Sequence, residues 1–193
     1  MWDQRYATDE FVYGTEPNDF LVEHAHLLQG PVLSLAEGEG RNAVYLASLG
    51  LDVLGVDASA VGLAKAQQLA AEKGVTIRTE VADLTRYTPA QSFGAVVSIF
   101  AHLPSQARKR LHRLVEQALR PGGIVLLEGY SKDQLGRGTG GPGDPDMLLT
   151  AAEIAAEFPN CTPLLCREIK REVIEGRLHT GMASVVQFIG RKN

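Results

Sequence analysis

Apolar residues along this chain form short continuous runs, separated by segments in which they recur every three or four positions. The runs 32–35 and 93–100 are apolar except for one serine each, as expected of strands that are covered on both faces. Between the runs, spacings such as that of Ala43, Val44, Leu46 and Ala47 are typical of helices. This alternation predicts a parallel sheet with helices on both of its faces.

Capping and breaking residues place the boundaries of these elements. Gly50 and Gly74 are expected to end two helices, and Ser59 is a suitable N-cap for the second of them. Pro104 fits the first turn of a long helix, which the run 120–123 (Arg-Pro-Gly-Gly) interrupts. The predicted strands of this part are 32–35, 51–56, 75–81, 93–100 and 124–127, and the predicted helices are 40–50, 59–73 and 104–119.

The last third of the chain has a different pattern. Segment 131–148 is rich in glycine and proline and predicts no regular element, and a short helix is expected at 150–158. The strand-like runs 164–174 and 183–189 are joined so closely that they must be antiparallel. The whole pattern predicts one α/β domain over 1–193. Its expected architecture is a Rossmann-like three-layer sandwich, with a seven-stranded, mostly parallel sheet that ends in an antiparallel hairpin.

Composition and charge narrow the possible partners. The 193 residues carry a net charge of −4, which argues against nucleic acid, and no apolar run is long enough to span a membrane. The basic cluster 108–113 is expected to be a solvated helix face. The two cysteines lack metal-type spacing, and the N-terminus lacks the apolar stretch of a signal peptide. A cytoplasmic protein without a metal site is the expectation, and the oligomeric state is unknown at this stage.

The loop after the first strand carries the most chemical information. Gly38 and Gly40 allow the backbone to approach a ligand closely at the start of a helix. Glu37 and Glu39 flank the position where a dinucleotide would place its pyrophosphate, and their carboxylates would repel it. S-adenosylmethionine carries a sulfonium and an ammonium group but no phosphate. The acidic loop therefore favours this cofactor, and with it methyl transfer.

Several short motifs, in order, strengthen this interpretation. They are Trp2-x-x-Arg5-Tyr6, Tyr13-Gly14-x-x-Pro17-Asn18, 36–42, Gly55-Val56-Asp57, Ala82-Asp83-Leu84 and 119–123. On these motifs the chain resembles the class I S-adenosylmethionine-dependent methyltransferases, in the small branch of tellurite-resistance-type and thiopurine-methyltransferase-like enzymes. It departs from that family at Ser34 and Ala36, where aspartate and glycine are usual, next to the expected site of the methionine moiety.

The resemblance implies a set of cofactor contacts. Asp57, at the end of the second strand, is placed to accept hydrogen bonds from the ribose hydroxyls, or else to cap the following helix. Asp83 is placed to accept from the adenine amino group, or else to be a turn residue without a ligand, and Leu84 offers an apolar face to the ring. The cofactor-binding residues are expected to be Arg5, Tyr13, Ala36, Glu37, Gly38, Gly40, Asn42, Asp57, Ala58, Asp83, Leu84 and Ile99.

The remaining expectations concern the acceptor. Segment 1–30 is expected to cover the cofactor, with Arg5 either paired to the methionine carboxylate or exposed to solvent. Trp2, His102 and Tyr130 are expected in the substrate pocket, where His102 is a candidate base, a substrate contact or merely a capping residue before Pro104. Segment 131–148 is either a lid or acceptor loop next to Tyr130, or a mobile connector. No catalytic residue is identified beyond the candidate His102.

The acceptor itself is expected to be a small molecule. Transfer from a sulfonium is an in-line displacement, so a soft nucleophile such as a thiol or a chalcogen oxyanion needs no dedicated base. Two alternatives stay open. An NAD(P)-dependent oxidoreductase also satisfies the loose Gly-x-Gly-x-x-Gly/Ala pattern at 38–43, and a non-catalytic protein that binds S-adenosylmethionine would explain the departures at Ser34 and Ala36.

Overall fold

The computed structural model describes all residues, 1–193, and forms a seven-stranded sheet with helices on both faces. The strands are β1 (Val32–Leu35), β2 (Val53–Asp57), β3 (Arg78–Val81), β4 (Phe93–Ile99), β5 (Leu119–Tyr130), β6 (Cys161–Glu175) and β7 (His179–Lys192). The helices are α1 (Trp2–Tyr6), α2 (Asp19–His24), α3 (Arg41–Ser48), α4 (Ala60–Glu72), α5 (Ser105–Ala118) and α6 (Ala151–Glu157).

The sheet has the order β3-β2-β1-β4-β5-β7-β6. Strands β1 to β5 pair in parallel, whereas β7 is antiparallel to both β5 and β6. Alternate residues of β1 enter two different cores: Val32 packs in the core with α2, α3 and α4, and Leu33 packs in the core with α5 and α6. The predicted three-layer fold with a terminal antiparallel hairpin is therefore confirmed.

The second and third strands begin later than the pattern predicts. Leu51 and Val75 lie instead in the closing turns of α3 and α4, where their N–H groups donate to Leu46 O and Ala70 O. Each follows a glycine at positive φ, Gly50 or Gly74, which completes a Schellman motif. An apolar residue just after a helix-ending glycine packs back on the helix, and from sequence alone it looks like the start of a strand.

Other boundaries differ for similar local reasons. Pro104 is the N-cap of α5 rather than a residue of its first turn. Segment 120–123 does not separate helix from strand, because β5 begins at Leu119 and includes these residues. The pairing of β5 with β4 is irregular at this point. The two hairpin strands are also longer than predicted, since their cross-strand pairing continues from Cys161 to Lys192.

The basic cluster 108–113 is not the uniformly solvated face that the sequence suggests. Arg108 and His112 are buried, and both contact Glu157 of α6: Arg108 Nη2 lies 2.9 Å from Glu157 Oε1, and His112 Nδ1 lies 2.6 Å from Glu157 Oε2. Burial lowers the pKa of His112 below its ordinary value. This part of α5 therefore holds α6 against the sheet, and only Lys109 and Arg113 face solvent.

The topology gathers several loops at one edge of the sheet. The strand order reverses between β1 and β4, and the loops after the parallel strands meet at their carboxyl ends. In open α/β sheets this is the position where ligands bind. None of the helices has both the length and the apolar character that crossing a membrane requires.

Candidate functional site

A cavity of about 380 Å³ opens at the carboxyl edge of the sheet, between the loops after β1, β2, β3 and β4 and the N-terminal segment. The predicted site residues that line it are Trp2, Tyr13, Ala36, Glu37, Asn42, Asp57, Ala58, Asp83, Leu84, Ile99 and His102. Lining residues absent from the predicted set are Tyr6, Gly14, Glu39, Arg41, Thr85, Phe100, Ala101, Leu103, Pro104 and Met147. Four predicted residues, Arg5, Gly38, Gly40 and Tyr130, lie behind or beside this lining.

The glycine loop is shaped by three left-handed positions at every second residue, Ala36, Gly38 and Gly40, with φ of 51°, 60° and 95°. A Cβ at Gly40 would lie 2.6 Å from Ala66 Cα, so this glycine allows α3 to pack against the α4 backbone. A Cβ at Gly38 would instead lie 2.7 Å from Tyr6 Oη, at the far end of a side chain of the N-terminal segment. The two glycines therefore serve different purposes: one packs the fold, and the other seats Tyr6 beside the cavity.

Glu37 occupies the N-terminal end of α3 with its own carboxylate. Its Oε1 accepts from Ala43 N–H at 2.8 Å, and its Oε2 accepts from the Ser34 hydroxyl. Gly55 on β2 leaves room for this side chain, since a Cβ there would lie 3.0 Å from Glu37 Cγ. The end of a helix where backbone N–H groups attract anions is thus already filled by a protein carboxylate.

Glu39 turns away from that position. Its Oε1 accepts from Val12 N–H at 2.7 Å, and its other oxygen pairs with Lys65 of α4. Lys65 Nζ also donates to Thr8 O at 3.0 Å and to Glu10 O at 2.7 Å. The sequence suggested equivalent roles for the two loop glutamates, but the structure gives them different ones. Only Glu37 fills the helix end, whereas Glu39 and Lys65 together hold the N-terminal segment.

Asp57 ends β2 at the wall of the cavity. Its Oδ2 accepts from Gly38 N–H at 2.9 Å and its Oδ1 from Ser59 N–H at 2.8 Å, which leaves each oxygen a second lone pair. Burial raises its pKa above the ordinary value. The cap of α4 is Ser59, whose hydroxyl accepts from Gly62 N–H at 3.0 Å. The alternative in which Asp57 is the helix cap therefore does not match the geometry.

Asp83 lies at the mouth of the same cavity, after β3. Its Oδ1 accepts from the backbone N–H of Thr85 at 2.9 Å and from the Thr85 hydroxyl at 2.7 Å. These hydrogen bonds lower the pKa of the exposed Asp83 carboxyl, so it is a carboxylate near neutral pH. Leu84 beside it is buried and contributes an apolar wall.

The N-terminal segment closes one side of the cavity. Trp2 and Tyr6 of α1 stack with their ring centroids 5.9 Å apart, and the exposed Arg5 lies 4.6 Å above the Trp2 ring. Arg5 Nη1 donates to Tyr13 Oη at 3.2 Å. Asp3 accepts from the Ser59 hydroxyl at 2.5 Å, which fixes α1 on the start of α4. Arg5 itself is outside the cavity lining.

His102 is held by the backbone on both sides of its ring. Nδ1 lies 2.9 Å from Met147 O, and Nε2 lies 3.2 Å from Tyr130 N. Because Nε2 must accept from the Tyr130 N–H, the proton resides on Nδ1 and is donated to Met147 O. Burial lowers the pKa of His102 to about 4. Neither nitrogen is available to take a proton from an acceptor in this conformation.

An aromatic cluster adjoins the cavity: Tyr13, Phe100 and His102 line it, and Tyr130 and His179 pack against these three rings. Phe100 follows β4 at φ 52°, an uncommon conformation for a bulky residue. Tyr130 is fully buried and packs against Phe100 with the ring centroids 4.7 Å apart. His179 is the first residue of β7, and the sequence analysis missed it because nothing local links it to the other four rings.

Segment 131–148 packs against this cluster. Its backbone contains two short 3₁₀ turns, Lys132–Gln134 and Pro145–Met147. The buried Gln134 side chain donates to Thr139 Oγ1 at 2.8 Å and to Gly140 O at 3.0 Å, and it accepts from Ser184 N–H at 2.9 Å. Glycines tolerate the positive φ that these turns require. The segment is thereby attached to β7 next to the cavity.

A buried charge network lies beneath the aromatic cluster. Glu128 Oε1 accepts from Asn18 Nδ2 at 2.9 Å, and Glu128 Oε2 accepts from Arg171 Nε at 2.9 Å. Glu175 accepts from Asn18 Nδ2 and from Arg41 Nη2, each at 2.6 Å. Two carboxylates thus face two guanidinium groups, and the network joins the N-terminal segment, α3, β5 and the hairpin into one wall.

The raised pKa of Glu37 gives the first prediction. Burial raises it from 4.5 to about 7, so the folded protein holds a proton on Glu37 that the unfolded chain releases. This contribution to stability is present below pH 4.5 and is lost as the pH rises to about 7. At about 1.4 kcal/mol per pKa unit, the rise from 4.5 to about 7 corresponds to a loss on the order of 3–4 kcal/mol.

Denaturant titrations between pH 4.5 and 8 measure this loss against the Glu37→Gln variant, which cannot ionise at this position. We expect the wild type to lose stability relative to Glu37→Gln over this interval. Parallel curves for the two proteins would contradict the assignment.

Comparison with known proteins finds a family model and a relative that are similar to part of this chain. Residues 32–123, just under half of the chain, match the model of the family described as a methyltransferase domain. A 2-heptyl-1-hydroxyquinolin-4(1H)-one methyltransferase of Mycobacteroides abscessus is 29% identical over 116 residues, which are 58% of this chain and 51% of that protein. The chain thus aligns with about half the length of this relative.

Solved structures share the fold over nearly the whole chain. TehB from Haemophilus influenzae superposes with a TM-score of 0.76 at 18% identity, covering 100% of this chain and 66% of that one. The N-methyltransferase NodS from Bradyrhizobium japonicum, in complex with S-adenosyl-L-homocysteine, superposes with a TM-score of 0.73 at 13% identity, covering 99% and 96%. No group of three or more His, Cys, Asp or Glu side chains is placed to hold a metal ion.

Proposed function

We propose that this chain is an S-adenosylmethionine-dependent methyltransferase of class I that acts on a small-molecule acceptor. One observation carries the proposal: the carboxyl group of Glu37 fills the N-terminal end of α3. A dinucleotide would need that position for its pyrophosphate, whereas a cofactor with cationic groups and no phosphate does not. The methyltransferase-domain match over 32–123 supports the same conclusion independently.

The residues around the cavity fit this cofactor. The free lone pairs of Asp57 accept from the two ribose hydroxyls, and Asp83 accepts from the adenine amino group. Leu84 and Ala58 flank the adenosine, and Ile99 lies under its sulfur end. Ala36 and Asn42 lie beneath the methionine moiety, on the turn that Gly38 and Gly40 shape. Trp2 and Tyr13 of segment 1–30 cover the cofactor, and Arg5 supports both from outside the lining.

The protein's part in the reaction is alignment and exclusion of water. The bound cofactor supplies an activated methyl group, because its sulfonium becomes a neutral thioether on transfer. The loop after β1 and the end of β4 fix the direction of attack, and Trp2 and Tyr6 restrict access of water from the N-terminal side. Such positioning provides most of the rate enhancement when the leaving group is already activated.

The acceptor carries a soft or already ionised nucleophile. The only histidine that lines the cavity, His102, uses both nitrogens on backbone groups and has a pKa of about 4. A thiol, a chalcogen oxyanion or an acidic hydroxyl needs no base of that kind. The hydroxyquinolone acceptor in the name of the mycobacterial relative is compatible with the third.

Calorimetry and product analysis test the proposal. Titration with S-adenosylmethionine is expected to give one site per chain, and NADH is expected to give no heat of binding. Formation of S-adenosylhomocysteine against a panel of small thiols and acidic hydroxyls separates an enzyme from a non-catalytic binding protein. Tight binding of NADH without binding of S-adenosylmethionine would overturn the proposal.

The Asp57→Asn variant tests the ribose contact. The amide keeps one acceptor but places N–H groups where the second hydroxyl donates, so we expect the cofactor to bind more weakly by about 1–3 kcal/mol. Asp52→Asn, an exposed carboxylate just before the same strand, is the matched control and should bind as the wild type does. Equal affinities for Asp57→Asn and the control would remove Asp57 from the cofactor site.

A further inference from the structure

Two polar atoms within the aromatic cluster have no hydrogen-bond partner in the protein: Tyr130 Oη and His179 Nδ1. Both atoms are buried, and a buried polar atom without a partner lowers stability unless a ligand or a water molecule binds it. The two rings meet edge to face with their centroids 5.3 Å apart. Both also adjoin Gly140, where a Cβ would lie 2.7 Å from Tyr130 Oη and 3.1 Å from His179 Cδ2.

These atoms lie outside the cavity lining and belong to rings that pack against two lining residues, Phe100 and Tyr13. Phe100 and Tyr13 line the cavity, and the His179 ring packs edge-on against both, with centroid distances of 5.0 and 4.7 Å. Phe100 also packs on Tyr130. A molecule that enters next to the methyl group therefore meets aromatic faces first and two unpaired polar atoms behind them.

We propose that Tyr130 Oη and His179 Nδ1 form the recognition site for the methyl acceptor, and that this acceptor is a planar aromatic molecule whose polar edge hydrogen-bonds to both atoms. The Phe100 ring turns aside to admit it, and its reacting atom faces the cofactor. This inference rests on the proposed methyl transfer and names the class of acceptor.

The chemistry of the two groups suits recognition rather than proton transfer. Burial raises the pKa of Tyr130 above its ordinary value and lowers that of His179 to about 3, so both are neutral near pH 7. A neutral phenol and a neutral imidazole offer a donor and an acceptor to a carbonyl or hydroxyl edge. The surrounding rings favour a flat molecule through offset or edge-to-face packing.

Segment 131–148 keeps these atoms in place. A Cβ at Gly141 would lie 2.9 Å from the Tyr130 ring, so the backbone packs directly on that ring. Gln134 ties the same turn to Ser184 of β7. The cofactor site does not explain why segment 131–148 is rich in glycine. Its packing against the acceptor site does explain it.

Steady-state kinetics with two aromatic thiols test the inference. Thiophenol and 4-mercaptophenol share the nucleophile and differ in the hydroxyl at the opposite edge of the ring. We expect the wild type to have a KM about 5- to 10-fold lower for 4-mercaptophenol, the range of one or two hydrogen bonds, with similar kcat. Tyr130→Phe and His179→Phe should each abolish most of this difference and leave the KM for S-adenosylmethionine unchanged.

Tyr87→Phe is the matched control, since Tyr87 also has a buried hydroxyl without a partner but lies outside the cavity lining. It should retain the wild-type preference. A wild type that does not prefer 4-mercaptophenol in KM or in direct binding to the complex with S-adenosylhomocysteine overturns the inference. So does a preference that survives in both cluster variants. Failure to bind S-adenosylmethionine would instead refute the proposed function, so the two failures are distinguishable.

Discussion

Glu128→Gln is expected to lower the free energy of unfolding by about 3–5 kcal/mol, the usual result of breaking a buried ion pair. Glu128 is 1% exposed, and its two oxygens accept from Asn18, Arg171 and Gln187. The variant places an amide N–H₂ against one of these donors. It also leaves the network with two guanidinium groups and one carboxylate, and such an excess buried charge is costly because water cannot solvate it.

Equilibrium unfolding in urea, followed by far-UV circular dichroism and by the fluorescence of Trp2, measures the change. Glu172→Gln is the matched control, because Glu172 is an exposed carboxylate on β6 next to Arg171 in sequence. The control should differ from the wild type by no more than about 0.5 kcal/mol. A loss below about 1 kcal/mol for Glu128→Gln would mean that the network contributes little to the fold.

Gly38→Val is expected to reduce the affinity for S-adenosylmethionine at least about 100-fold while the circular dichroism spectrum stays close to that of the wild type. A β-branched residue at φ 60° is strained by about 1–2 kcal/mol. The loop relieves this strain by changing its backbone, which withdraws the Gly38 N–H from Asp57. The new side chain also displaces Tyr6, so two walls of the cofactor site change together.

Valine substitutions at two other glycines distinguish the effect of backbone strain from the effect of side-chain contacts. Gly74→Val has the same backbone strain, at φ 70°, but nothing lies within 4 Å of its Cβ and it is far from the cavity, so it should bind the cofactor normally. Gly40→Val meets the α4 backbone at Ala66 and should lose folded structure. Binding measured by calorimetry and folding measured by circular dichroism distinguish the three variants. Normal binding by Gly38→Val would mean that this turn does not touch the ligand.

The order of strands and helices was predictable because it follows from local patterns. Apolar runs such as 93–100 identify covered strands, and Ser59 and Gly50 identify helix ends. The predicted strand boundaries are wrong where the same local pattern can arise from two different structures. Leu51 and Val75 are apolar and precede strands, but they pack back on the helices that they follow.

The candidate site also has a part that the sequence predicts and a part that it does not. The cavity position of Asp57 and of the glycine loop follows from the strand–turn–helix pattern, which is contained in about 25 consecutive residues. His179, Glu175 and Glu128 were not predicted, because their partners lie far away in sequence and depend on how the hairpin packs. The Glu175-Gly176 pair at the hairpin turn was visible in the sequence, but only as a turn signal.

Asn18 and Glu175 are 157 positions apart and share a hydrogen bond, which affects when this contact forms during translation. Contacts of such high sequence separation form late, since the chain between them must be ordered first. A nascent polypeptide that has emerged only as far as α6 carries the glycine loop and Asp57 but lacks the carboxylate that joins Arg41 to the hairpin. Competence to bind ligand should therefore appear only after the ribosome has released the final strands, which makes bound ligand a marker of completed synthesis.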